Sequence, residues 1–168
     1  MVEETPIFKV GILTVSDAGF KGERPDTSGD AISEIMISRG FVQVYREIIP
    51  DEKKLISDRL VRWCDDGRVD VILTTGGTGL GPRDVTPEAT KAIIDLEITG
   101  IAEAMRTETL NKTPFAMLSR SIAGVRTGCL IINLPGSPKA VSETLEVALP
   151  AIPHALEMIR GWRTHKDD

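Results

Sequence analysis

VDVILTTGGTGLGPRDVTPEAT (residues 69–90) passes from an apolar run, through a glycine-rich loop, into a helix start within 22 residues. Residues 69–74 (VDVILT) are rich in β-branched and aliphatic side chains and read as a buried strand. Three glycines and three threonines follow at once in Thr74-Thr75-Gly76-Gly77-Thr78-Gly79. Glycine admits positive φ and lets the backbone approach a ligand closely. Exposed N–H groups and hydroxyls in such a loop suit phosphate oxygens. No Gly-Lys-Ser/Thr follows, so this is not a P-loop, and the spacing of a dinucleotide fingerprint also fails. Thr86-Pro87 then supplies a cap residue followed by Pro at the first helical position, for a helix to residue 95 or 96.

The same strand–loop–helix unit recurs on both sides. Residues 8–15 (FKVGILTV) form a buried strand ending at Ser16-Asp17, and residues 18–27 read as a loop. Ser28 caps a helix to Arg39, with Ile32, Ile35 and Met36 on one face, and Gly40 stops it. Residues 41–49 make a second strand, and Pro50-Asp51 turns the chain into a helix over residues 52–65. Beyond the central unit, a helix is predicted over residues 100–111 and a short strand over residues 115–118. A longer strand follows over residues 129–134, then helices over residues 137–148 and 150–159. Strands alternating with helices predict an α/β fold of three layers (αβα), a mostly parallel sheet with helices on both faces. Residues 6–162 read as a single domain and residues 163–168 as a polar tail.

Bulk properties narrow the function. With 168 residues the chain buries a core without staples. A net charge of −5 argues against a broad nucleic-acid surface, though local cations and backbone N–H groups suffice for a small anion. Aromatics make up 4%, so the core rests on Ile, Leu, Val and Ala. Cys64 and Cys129 have no zinc-ligand spacing and read as reduced thiols. No signal peptide or membrane span is visible, which points to a cytoplasmic protein. His154 and His165 lack partners at recognisable spacing.

In an open α/β sheet, ligands sit beyond the carboxyl ends of the strands. That places the chemistry at Ser16 and Asp17, at Asp51, along residues 75–84, and at residues 133–137. Two readings of Asp84 stay open: a loop carboxylate paired with Arg83, or a Mg²⁺ ligand near phosphates. Thr86 already supplies the cap, so Asp84 is not needed for that duty. Asp51 after Pro50 looks first like an ordinary N-cap, yet it shares the sheet edge with Asp84. Ser137 caps a helix whose N–H groups and dipole suit an anion. Arg83, Arg120, Arg126 and Lys139 are candidate partners for phosphate charge.

Five stretches in this order resemble the MoaB/Mog family, the molybdopterin adenylyltransferases of molybdenum cofactor synthesis. They are GILTVSD (residues 11–17), IPDE (49–52), LTTGGTGLGPRDVTPEAT (73–90), AMLSR (116–120) and INLPGSPKAV (132–141). The resemblance implies a homotrimer that binds ATP, molybdopterin and Mg²⁺, and transfers AMP to molybdopterin with release of pyrophosphate. It implies that Asp51 and Asp84 are catalytic and hold the metal. It assigns the nucleotide-side loop to Thr75, Gly76, Gly77, Thr78 and Gly79. Ser119 and Asn133 match positions of the pterin-phosphate and nucleotide site, with Ser16, Asp17, Pro135, Gly136 and Ser137 on the same edge. A downstream molybdenum-insertion enzyme is the implied partner. The alternative is a non-catalytic molybdopterin-binding protein of the same pathway. A generic nucleotide hydrolase stands further off, since the Walker lysine is missing.

Overall fold

Four segments, each long enough for one strand, build the parallel part of the sheet in the computed structural model, which describes residues 6–161. They are β1 (Lys9–Val15), β2 (Val42–Ile49), β3 (Val71–Thr75) and, later in the chain, β6 (Cys129–Leu134). Two further strands, β4 (Leu96–Glu97) and β5 (Ala123–Arg126), complete a six-stranded sheet in the order β2-β1-β3-β6-β5-β4. The strands β2, β1, β3 and β6 run parallel, whereas β5 is antiparallel to both β6 and β4. The residues of the predicted tail, 163–168, and Trp162 lie outside the described residues, as does His165.

Strand periodicity sorts the core into two faces. Ile12, Leu73 and Ile132 point to one side, under α2 (Thr27–Ser38), α5 (Thr99–Leu110), α6 (Pro138–Ala148) and α7 (Ile152–Ile159). Their neighbours Leu13, Ile72 and Ile131 point to the other, under α3 (Lys53–Asp65) and α4 (Thr86–Lys91). Ile32 and Met36 of α2 are fully buried on the first side, and Ile56 and Leu60 of α3 on the second. Cys64 and Cys129 are buried as free thiols in that second layer, where the contact with Cys64, and then burial, push the Cys129 thiol up. The expected three layers are therefore present, with β5 an unforeseen antiparallel insertion. No helix among the described residues is long and apolar enough to cross a membrane.

Several local expectations change. Residues 115–118 form a 3-10 turn (Pro114–Leu118), not a strand; Pro114 starts it and the Thr113 hydroxyl accepts from the Phe115 N–H. A short helix, α1 (Asp17–Phe20), stands inside the predicted loop. Asp26 rather than Ser28 caps α2, accepting the Gly29 N–H at 3.0 Å. Val85 rather than Thr86 occupies the N-cap position of α4, and Glu52 rather than Asp51 that of α3, in both cases without a side-chain cap. Those displacements free Asp51 and Thr86 for other work at the sheet edge.

Candidate active site

Register brings the ends of the parallel strands level. Val15 pairs with Ile49, Thr14 with Thr75, and Thr75 with Leu134. The connections that leave these strands therefore share one edge, and they enclose a polar cleft of about 290 Å³.

The glycine loop forms its floor. Gly76 N–H donates to Leu134 O at 3.2 Å, prolonging the β3–β6 ladder by one bond. Gly76 has φ +96°, and a Cβ there would lie 2.3 Å from the Val15 carbonyl oxygen, so only glycine fits. Thr86 supplies the tie on the far side: its hydroxyl donates to Gly76 O at 2.9 Å and its N–H to Gly77 O at 3.1 Å. The Thr75 hydroxyl, fully buried, donates to Pro135 O at 2.7 Å. The loop is thus a clamped element, not a flexible turn.

Two carboxylates face this floor. Asp51 and Asp17 lock together through their backbones: Asp17 N–H donates to Asp51 Oδ2 at 2.8 Å, and Asp51 N–H donates to Asp17 Oδ1 at 3.0 Å. Arg83 closes a bidentate pair on Asp17, at 2.9 and 2.8 Å. The Arg83 hydrogen bond, helped by the Asp51 N–H, holds the Asp17 carboxyl below its ordinary value. Burial pushes Asp51 the other way, reinforced by the charges of Asp17 and Asp84. Asp84 accepts the Gly81 N–H at 2.9 Å, with Gly79 and Gly81 packed against the same oxygen. Arg83 therefore pairs with Asp17 and not with Asp84.

The residues named from sequence divide among several places. Ser16, Asp51, Thr75, Gly76, Gly77, Asp84, Gly136 and Ser137 all line the polar cleft. Ser137 caps α6, accepting the Ala140 N–H at 3.2 Å. Ser119 and Pro135 instead line a neighbouring, more apolar cleft of about 160 Å³ between α5, the 3-10 turn and α6. Asp17 sits behind Asp51, bound to Arg83. Thr78 and Gly79 line neither cleft; their carbonyls accept from Arg120 N–H and Nε. Asn133 is completely buried, its Nδ2 donating to the hydroxyls of Thr74 and Thr90 at 3.0 Å each. It braces β6 against β3 and α4 and does not open onto a ligand.

The cations divide likewise. Arg120 is committed to Gly79 O, Asp84 O and Glu88, so it holds the loop in shape. Arg126 pairs with Asp65 at the β5–β6 turn, on the opposite edge of the sheet. Lys139 is exposed and lines neither cleft. What the sequence reading passed over as part of the site is the end of the connection between α1 and α2 and the first turn of α2: Arg24, Pro25, Asp26, Thr27 and Ser28 all line the polar cleft. The available signal was the pattern Asp26-x-Ser28-Gly29, a helix start closer to the first strand's end than the plain loop assigned there.

A parallel sheet whose carboxyl edge carries a glycine loop, two carboxylates and helix N-termini defines an α/β protein built to hold a small anionic ligand. Its family follows from comparison. Residues 11–154 match the model described as the probable molybdopterin binding domain, and the chain belongs to that family. A molybdopterin adenylyltransferase of Helicobacter pylori is 44% identical over 154 residues, covering 90% of this chain and 88% of its own. The crystal structure of the molybdopterin biosynthesis enzyme MoaB from Thermus thermophilus superposes with a TM-score of 0.87 at 54% identity, covering 92% of this chain and 98% of that one. The tungsten cofactor synthesizing protein MoaB from Pyrococcus furiosus has a TM-score of 0.84 at 36% identity, with 92% and 98% covered.

Proposed function

We propose that this chain is a molybdopterin adenylyltransferase that transfers AMP from ATP to molybdopterin. The observation that carries the reading is the meeting of Asp51, Asp84 and the clamped Gly76-Gly77 loop in one cleft. Relatives named for that activity match the chain nearly end to end, which supports it. An oxygen of the molybdopterin terminal phosphate attacks the α-phosphorus of ATP, the bond to the β-phosphate oxygen breaks, and pyrophosphate leaves with the electron pair. Such a transfer needs positioning and charge neutralisation, not a protein nucleophile.

The donor set fits Mg²⁺. Each carboxylate accepts a backbone N–H on its Oδ2, which leaves Oδ1 of Asp51 and of Asp84 without a protein donor among the described residues. Among the described residues no three His, Cys, Asp or Glu side chains gather for a metal. Two carboxylates without a third suit an ion that is completed by substrate phosphates and water. When bound, Mg²⁺ would offset the phosphate charge that these carboxylates otherwise repel. The α6 N-terminus, with Gly136 and Ser137, offers N–H groups and a positive dipole end to the anion. Asp17 and Arg83 fix the orientation of Asp51.

The same reading makes the functional unit a cytoplasmic homotrimer of single domains (residues 6–162) that hands its product to a molybdenum-insertion enzyme. Sedimentation velocity tests the trimer. The activity is tested by pyrophosphate release from Mg-ATP, with and without molybdopterin, on wild type and Asp84→Asn. Molybdopterin-dependent release that is lost in the variant is expected. Saturable molybdopterin binding with no release would make the chain a passive binder, and release without molybdopterin a hydrolase.

A further inference from the structure

Four arginines stand near the polar cleft, and three of them are spent. Arg46 bonds Asp26 and Asp30, Arg83 bonds Asp17, and Arg120 bonds loop carbonyls and Glu88. Arg24 lines the cleft with no ion-pair or hydrogen-bond partner among the described residues. Beside it begins α2, a helix of 12 residues. Its cap, Asp26, satisfies the Gly29 N–H, while the N–H groups of Thr27 and Ser28 have no acceptor among the described residues. The Ser28 side chain gives a second, independent sign. Ser28 is 7% exposed, yet it lines the cleft and its hydroxyl has no hydrogen-bond partner among the described residues. No buried side-chain oxygen among the described residues lacks a partner, so the Ser28 hydroxyl meets the solvent of the cleft, where a ligand atom can take its bond. The Asp26 carboxylate does not spoil the site for an anion. Its oxygens are occupied by the Thr14 hydroxyl, the Gly29 N–H and the Arg46 guanidinium, which it shares with Asp30 and which offsets part of its charge.

We propose that Arg24, the Ser28 hydroxyl and the free N–H groups opening α2 form a phosphate subsite, distinct from the glycine loop and from the α6 N-terminus. This rests on the adenylyltransferase reading of the cleft and deepens it: one phosphate group of the reactants is bound on the β1 side. A guanidinium, a hydroxyl and two helix-end N–H groups are the donor set that phosphate oxygens require. Two phosphates are chemically eligible, those of the nucleotide and the terminal monophosphate of the pterin.

The test uses the full chain. Calorimetric titration with inorganic pyrophosphate and with inorganic phosphate is run on wild type, Arg24→Gln, Arg24→Lys and Ser28→Ala. Arg24→Gln is expected to weaken anion binding roughly tenfold to a hundredfold, and Ser28→Ala roughly fivefold to tenfold. Arg24→Lys recovers part of the loss. Thermal midpoints of the free variants stay at the wild-type value, since neither side chain bonds the protein. Steady-state kinetics then separate the two sources. A rise in KM for ATP alone assigns the subsite to the nucleotide, and a rise for molybdopterin alone assigns it to the pterin phosphate. Variants that bind anions and both substrates as wild type does would overturn the subsite while leaving the transferase reading intact. Anion binding lost in Arg24→Gln, in a wild type that releases no pyrophosphate, would leave the subsite standing and remove the transferase.

Discussion

Replacing Gly76 with Ala tests whether the floor of the cleft is built on a close backbone contact. The added Cβ would sit 2.3 Å from Val15 O, a main-chain atom of β1 that no rotamer change can move aside. Two costs add. The backbone conformation at φ +96° is strained for any residue with a side chain, about 1–3 kcal/mol. Relieving the overlap means prising β1 from the loop, about 1–3 kcal/mol of overpacking. The sum is about 2–6 kcal/mol. Gly22→Ala is the control, because Gly22 has φ +73° but nothing within 4 Å of its ideal Cβ. It carries only the left-handed term, about 1–2 kcal/mol. With a urea dependence of about 2 kcal/mol per M, the midpoint falls by about 1–3 M for Gly76→Ala and about 0.5–1 M for Gly22→Ala. Both are measured by urea unfolding at one protomer concentration, since association would shift the midpoint. Equal shifts in the two variants would refute the contact argument, leaving only backbone preference at Gly76.

Two more perturbations probe polar groups at the strand ends, one half-buried and one fully buried. Asp51 has its carboxyl raised above 3.8 by burial and by the charges of Asp17 and Asp84, so its ionised form destabilises the fold at neutral pH. Asp51→Asn should raise the thermal midpoint of the ligand-free protein at pH 7, with the gain vanishing as pH drops below the usual carboxylate range. A variant less stable than wild type at pH 7 would sink the argument. Asn133→Ala removes both bonds to Thr74 and Thr90 and strands the Thr74 hydroxyl, while Thr90 keeps Thr86 O. A loss of about 2–4 kcal/mol in urea unfolding is expected, and a loss below about 0.5 kcal/mol would mean that water takes the place of the amide.

Three of the parallel strands were legible because each is a continuous apolar run of the right length, β2 because its residues alternate, and the helices because their apolar residues recur at helical spacing. What escaped was decided by contacts distant in sequence. β5 has no hydrophobic alternation to announce it, and Gly124 is there because Ile94 and Leu96 O leave no room for a side chain. Phe115 and Met117 look like strand residues but are 73% and 63% exposed on a 3-10 turn, so their apolar character carried no information about pairing. At the site, Asp51 reads locally as a helix cap, and only the arrival of Asp17 from the β1 connection redirects it. Asn133 shows the converse: its place at a strand end suggested an open ligand position, and burial between two threonines makes it a brace. Arg24 was hidden inside a segment whose Gly, Pro and charged residues spell an ordinary loop, and Ser28 read only as a helix cap.

The reciprocal backbone bonds between Asp17 and Asp51 set a rule for how this cleft tolerates change. In most α/β proteins each connection leaving a strand varies on its own, so new chemistry is acquired one loop at a time. Here each aspartate receives the other's main-chain N–H, and Arg83 from a third connection grips the pair. An insertion that displaced either residue by one position would leave both carboxylates misdirected. The first two connections therefore drift together or not at all, and diversity must enter through segments outside the lock.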